Sequence, residues 1–355
     1  LRSCLSINEN VDRGEAFIRK IKFLGSGIYL PKQKLSAHEL DKRLDLPIGT
    51  TEGISGVQTR HMISGEEGVT QMAAIAVREA VADAELRLNE IDLLVVASFS
   101  YDQPIPYKAA LVQRELGLGH SGVPCFDIDA TCLSFVVALD NLSYLIDSGR
   151  YKNVVIVSSE SASAALNWKH LESAALFGDG AVAMVIGPSP EGEKSVLFAS
   201  RLETYGKGAE TCTLKGGGYK ILPREFKSGH GHAPDKEDER FLFAMNGREA
   251  FKFTRQQLPD FVTDLLKSSR MHLSDFNLII PHQASLSALN LLKRFLGIRD
   301  DQWVTTVQNY GNLIAASIPL SLHLAIKEEK VRRGDSVLLI GTSAGLSIGA
   351  VAFIY

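Results

Sequence analysis

Cysteine is scarce in this chain of 355 residues: Cys4, Cys125, Cys132 and Cys212 are the only four. Their spacing matches neither a disulfide framework nor a metal site, so a reducing, cytoplasmic setting is expected. Neither sign of charge is in excess, with 38 Lys and Arg against 41 Asp and Glu and a net charge of −3. That balance argues against nucleic acid or an anionic membrane as a partner. Long apolar runs are missing too. The longest, such as Leu93–Ala97, fall far short of the ~20 residues that cross a bilayer. No basic segment followed by an apolar one opens the chain, so no secretory signal is expected. The first residue is Leu1 rather than Met, and a start upstream of it is expected.

What is present is an ordinary globular composition, 45% hydrophobic and 22% charged, over a length that suggests two core-sized halves. The chain also repeats itself. Leu88-Asn89-Glu90-Ile91-Asp92-Leu93-Leu94-Val95-Val96 reads like Leu273-Ser274-Asp275-Phe276-Asn277-Leu278-Ile279-Ile280-Pro281, 185 residues further on without a gap. Each is a polar turn running into a continuous apolar stretch, the pattern of a strand buried on both faces. Each follows an amphipathic helical pattern, with Ala73, Ala76, Val77, Ala80 and Val81 before the first and Phe261, Val262, Leu265 and Leu266 before the second.

The duplication continues. An apolar helix over residues 135–146, closed by Gly149, leads to a strand at 154–157; another over 318–326, followed by Gly334, leads to a strand at 337–340. The segments 181–186 and 350–354 both read as later strands. The chain is therefore expected to be α/β, with an N-terminal half over 1–190, a C-terminal half over 191–355, and a junction at 188–193. Residues 205–240, rich in Gly, Lys and His, read as a surface excursion.

Three residues lie at the ends of matched elements. Cys132 follows the strand at 125–128 and precedes the apolar helix, so the helix N-terminus is expected to favour its thiolate. His282 follows the strand at 278–280. Asn312 precedes the helix that duplicates the one after Cys132. Taken singly, each has an ordinary explanation: a buried small hydrophobe, a structural histidine, a turn asparagine. Together they place a nucleophile and two neutral donors where ligand sites form, at the carboxyl ends of strands. His230 and His232 read as part of a solvated loop, and no metal site is expected.

These residues sit in motifs that resemble the β-ketoacyl-acyl-carrier-protein synthase III family of the thiolase superfamily. The motifs are Gly25-Ser26-Gly27-Ile28-Tyr29-Leu30-Pro31, the Cys132 turn, Phe177-Gly178-Asp179-Gly180-Ala181 and Met245-Asn246-Gly247-Arg248-Glu249-Ala250-Phe251-Lys252. Pro281-His282-Gln283-Ala284 and Gly311-Asn312 with Ala315-Ala316-Ser317 complete the set. The resemblance implies a thiolase-like fold of two duplicated βαβ-rich halves in five α-β-α-β-α layers, and a homodimer. It implies that Cys132 accepts an acyl group from a thioester, acyl-CoA or acyl-carrier protein, and that a malonyl-thioester on acyl carrier protein then loses carbon dioxide and condenses with it. His282 and Asn312 are the implied enolate donors, with His282 neutral. The backbone amides of Cys132 and Ala344 are the implied oxyanion hole, and no metal or redox cofactor is implied.

Lys252 matches the position that the family uses for carrier docking, and Arg248 and Arg255 lie on the same helical face by their spacing. The sequence departs from the family where a nucleotide clamp is usual: Thr50 and Ile54 stand there, and Ser287 stands where an Arg is common. Weak coenzyme A binding and a specialised pathway are therefore expected. Two alternatives stay open: an acyltransferase or head-to-head condensing enzyme of the same fold, and a non-catalytic acyl-binding subunit.

Overall fold

Apolar runs flanked by glycine turns form two sheets with helices between and outside them. The structure, a computed structural model, describes residues 18–65, 67–221, 238–267, 269 and 271–355. The first sheet has five strands in the order Ile21–Tyr29, Asp179–Pro188, Val154–Ser161, Leu93–Ala97 and Cys125–Ile128. The second has four, in the order Val196–Thr204, Ser347–Ile354, Ser336–Ser343 and Leu278–Pro281. The two orders match strand for strand. Leu93–Ala97 pairs in parallel with Val154–Ser161, as Leu278–Pro281 does with Ser336–Ser343. The fifth place in the second sheet shrinks to a single parallel bridge between Trp303 and Ile279, held by the Val304 amide on the Ile279 carbonyl at 3.1 Å.

The strands bury both faces. Leu93, Val95 and Ala97 face one core while Leu94 and Val96 face another. In the second sheet Leu278 and Ile280 share the first of these cores, and Ile279 points away into a third. The shared core lies between the sheets. Helices Ser134–Asp147 and Ser317–Lys327 fill it, contributing Phe135, Leu139, Ile318 and Leu322. Helices Val69–Asp83 and Lys108–Glu115 cover the outer face of the first sheet, and Gly247–Leu266 covers that of the second. The result is the five-layer α-β-α-β-α arrangement of a thiolase-like fold. Side chains buried on both sides of each sheet explain why these strands read as unbroken apolar runs.

Close approach at one point needs two glycines. Gly311 has φ 72°, a conformation that a side chain resists, and a Cβ on Gly178 would lie 2.3 Å from the Tyr310 carbonyl oxygen. Their absence of side chains lets Asn312 pair with the 176–178 segment: its amide donates to the Leu176 carbonyl at 3.0 Å, and its carbonyl accepts the Gly178 amide at 3.1 Å.

Candidate active site

Cys132 sits in a single 3-10 turn, Thr131–Leu133, that feeds straight into helix Ser134–Asp147. Thr131 has φ 51°, a strained value for a β-branched residue. The turn is held by three local bonds. Asp129 accepts the Thr131 amide at 2.8 Å, and the buried Ser134 hydroxyl accepts the Ala130 amide at 2.9 Å and donates to the Thr131 carbonyl at 2.7 Å. A bond from the Ser343 hydroxyl to the Ala130 carbonyl, 2.7 Å, ties this turn to the C-terminal glycine turn. The backbone amides of Ala344 and of Cys132 itself lie beside the Cys132 sulfur and favour its thiolate.

His282 follows its strand and is 7% exposed. Burial pushes its pKa down to about 4, so the ring is neutral near pH 7, and its Nδ1 has no partner among the described residues. Asn312 is 5% exposed. Its Oδ1 accepts the Ile314 amide at 2.9 Å and the Ser317 hydroxyl at 3.4 Å, which leaves the Nδ2 donors for the cavity. The neighbour Gln283 is wholly buried and uses its side chain as a clamp. Its Nε2 donates to the carbonyls of Pro281 and Val304, and its Oε1 accepts the amides of Thr306 and Val307 at 2.8 and 3.1 Å. It thus fixes the His282 strand end to the loop that leads to Asn312.

Cys132, His282, Asn312 and Ala344 all line one cavity of about 840 Å³. Cys132 comes from the N-terminal half of the duplication and the other three from the C-terminal half, and most of the remaining wall is apolar. Arg248 lies at the mouth of this cavity; Lys252 and Arg255 are exposed further along the same helix, Gly247–Leu266. Ile54 and Ser287 also border the mouth, whereas Thr50 does not.

Two expectations change. A resting thiolate at Cys132 is not what the site favours: burial pushes the thiol pKa up to about 12, and the Glu160 carboxylate adds to the shift. The amides beside the sulfur act the other way but are outweighed. The excursion at 205–240 is also not wholly a surface loop. Its first part forms a two-residue strand, Cys212–Thr213, paired with Ala244–Met245, and Cys212, Leu214, Phe243 and Met245 line the cavity. Cys4, His230 and His232 lie outside the described residues.

The sequence reading also missed Glu160. It is fully buried, accepts the amides of Phe99 and Ser100 at 3.0 Å each and the Ser100 hydroxyl at 2.6 Å. Desolvation raises its pKa to about 7. A lone acid inside the polar end of a buried strand was the available signal. Among the described residues no group of His, Cys, Asp and Glu could hold a metal ion, and no helix is long and apolar enough to cross a membrane.

Two family models of 3-oxoacyl-[acyl-carrier-protein] synthase III match the chain, one over residues 126–206 and its C-terminal counterpart over 266–355. β-Ketoacyl-[acyl-carrier-protein] synthase III of Aquifex aeolicus is 35% identical over 334 residues, 94% of this chain and 99% of that protein. The crystal structure of 3-oxoacyl-[acyl-carrier-protein] synthase III from Aquifex aeolicus superposes with a TM-score of 0.82 at 34% identity, covering 94% of this chain and all of that one (100%). The Pseudomonas aeruginosa structure of the same description reaches 0.84 at 29% identity, over 95% and 98% of the two chains. With likeness of this extent, and residues of five of the six motifs lining one cavity, the chain belongs to the β-ketoacyl-[acyl-carrier-protein] synthase III family.

Proposed function

We propose that the protein catalyses a decarboxylative Claisen condensation, with Cys132 as the acyl acceptor. The observation that carries this reading is the convergence of Cys132, His282, Asn312 and the Ala344 amide on one largely apolar cavity. The half over 1–190 supplies the nucleophile, and the half over 191–355 supplies His282 and Asn312.

In the first step the Cys132 sulfur attacks the donor thioester. A new carbon–sulfur bond forms, the donor's breaks, and the thiol proton leaves with the donor thiol. A malonyl-thioester on acyl carrier protein enters next and loses carbon dioxide. Negative charge moves onto its thioester oxygen, where His282 and Asn312 donate hydrogen bonds. A neutral His282 suits this step, because it stabilises the enolate without protonating it. The enolate carbon attacks the acyl carbonyl. The resulting oxyanion sits on the amides of Cys132 and Ala344, which in the resting site lie beside the sulfur. Collapse expels the Cys132 thiolate, which regains a proton, and a β-ketoacyl-thioester departs. No metal or redox cofactor takes part in these steps.

The reading includes acyl carrier protein as partner, docking at Arg248, Lys252 and Arg255, and a cytoplasmic homodimer with neither nucleic acid nor membrane as partner. Strand Cys125–Ile128 stands at an open edge of the first sheet, the type of edge that a second copy covers.

Intact mass tests the reaction. The wild type should gain the mass of one acyl group from an acyl-thioester, and Cys132→Ala should gain none. Malonyl-carrier should then remove that mass with release of carbon dioxide. Discharge without carbon dioxide would point instead to acyl transfer or head-to-head condensation.

A further inference from the structure

The cavity is larger than a two-carbon acyl group needs. Its exposed lining residues, Ile54, Glu172, Arg248, Ser287 and Leu291, mark the mouth, and its buried ones, among them Leu166, Leu176 and Phe177, mark the interior. The Cys212–Thr213 and Ala244–Met245 ribbon closes one side. It is anchored by the Phe243 amide on the Ala165 carbonyl at 2.8 Å and by edge-to-face contact between Phe243 and Phe177, with ring centroids 5.2 Å apart. The two charged side chains among the described lining residues, Glu172 and Arg248, are both exposed.

Volume bounds the occupant. A cavity of ~150 Å³ holds benzene, so an atom other than hydrogen takes ~25 Å³. On that scale the 840 Å³ takes roughly 30 such atoms, of which a pantetheine arm uses about 18. About a dozen atoms of acyl chain remain. An acetyl group would leave most of the apolar wall uncovered, and a chain well beyond twelve carbons would not fit with the arm in place.

We propose that the acyl group delivered to Cys132 is a medium-length aliphatic chain of about eight to twelve carbons, and that the small side chain of Cys212 keeps the room it occupies open. This rests on Cys132 being the acyl acceptor, as argued above. Cys212 lines the same cavity as Cys132 and is near enough to act electrostatically on its thiol; it sits on the ribbon rather than on the turns that carry Cys132, His282 and Asn312, so it bounds the space for the acyl chain.

Acyl-pantetheine thioesters of two to sixteen carbons, offered in competition and read by intact mass at short times, give the profile. Each buried methylene favours loading roughly threefold to fourfold, so decanoyl, eight methylenes longer than acetyl, should exceed it by about four orders of magnitude if all are buried, and hexadecanoyl should fall below decanoyl. Cys212→Trp should move the optimum to two to four carbons. Leu214→Trp, on the same wall, should do so too and stands in if the first variant does not fold. An optimum at acetyl, at hexadecanoyl or at no length overturns the proposal and leaves the acyl-acceptor role standing. The converse failure is separable with non-transferable acyl-pantetheine amides and Cys132→Ala. Thermal stabilisation that peaks at eight to twelve carbons, with no thioester loading in the wild type, would uphold the chain selection and overturn the acyl-acceptor role.

Discussion

Asp129 and Asn312 hold matching turns in the two halves: each accepts, with its side-chain oxygen, the amide two residues on, at 2.8 Å from Thr131 and 2.9 Å from Ile314. The turns agree further. Thr131 and Ile314 both have positive φ, 51° and 48°, and Ser134 and Ser317 accept the Ala130 and Leu313 amides at 2.9 Å each. One turn presents a thiol and the other an amide. Asn312→Asp should therefore keep its turn, because a carboxylate does the same work in the other half, yet lose the Nδ2 donors. Because Asn312 is buried where Asp129 is exposed, we expect a stability loss of about 1–3 kcal/mol for the buried carboxylate and loss of malonyl decarboxylation, read by carbon dioxide release. Asp129→Asn should leave both nearly unchanged. A fully active Asn312→Asp would remove Asn312 from the enolate site.

The raised thiol pKa has its own signature. Because Cys132 titrates near 12, its alkylation by iodoacetamide should rise about tenfold per pH unit from pH 7 to 9, since the thiolate is the reactive form. Peptide mapping resolves Cys132 from the other three cysteines. A plateau below pH 8 would restore the resting thiolate.

His282 and Glu160 pull stability in opposite directions with pH. The folded-state pKa of His282, about 4, lies below the ordinary 6.5. Its contribution is present above pH 6.5 and is lost as pH falls through 4. That of Glu160, about 7, lies above the ordinary 4.5; its contribution is present below pH 4.5 and is lost as pH rises through 7. Each is worth about 3 kcal/mol in full. Between pH 4.5 and 6.5 the two offset each other, and above that Glu160 dominates. Urea titrations should show stability falling from pH 6 to 8 in the wild type and not in Glu160→Gln. Decarboxylation should hold down to about pH 5, because His282 stays neutral to that point.

Gln283 is a positioning residue. Gln283→Leu leaves the Thr306 and Val307 amides buried without acceptors, at a cost of roughly 2–4 kcal/mol. Decarboxylation, which uses His282 and Asn312, should fall more than acyl loading. Gln283→Glu keeps the Oε1 acceptor for both amides while losing the Nε2 donor, and should recover part of each. Equal losses in the two assays would make Gln283 a general stabiliser only.

Lys252→Glu tests carrier docking. Lys252 is exposed on helix Gly247–Leu266, and rim charges act mainly on association. The KM for malonyl-carrier should rise about tenfold, or ~1.4 kcal/mol, while loading from a small N-acetylcysteamine thioester stays unchanged. No change in either assay would place the carrier elsewhere.

The duplication and the strands were legible in the sequence, and so was the gathering of Cys132, His282 and Asn312 at one place, because their signals are local. An unbroken apolar run such as Leu93–Ala97 marks burial on both faces, and a Cys, His or Asn beside such a run inherits a known place in the fold. The protonation state of Cys132 was not legible. It depends on Glu160, which a separate strand brings near, and on burial in a largely apolar cavity, one side of which is closed by Cys212–Thr213 and Ala244–Met245. The single bridge at Trp303, standing where the first sheet has a full strand, was equally hidden. Periodicity reports which side of an element is buried; desolvation, electrostatic neighbours and cavity volume depend on what lies across the gap, and only the packed halves decide that.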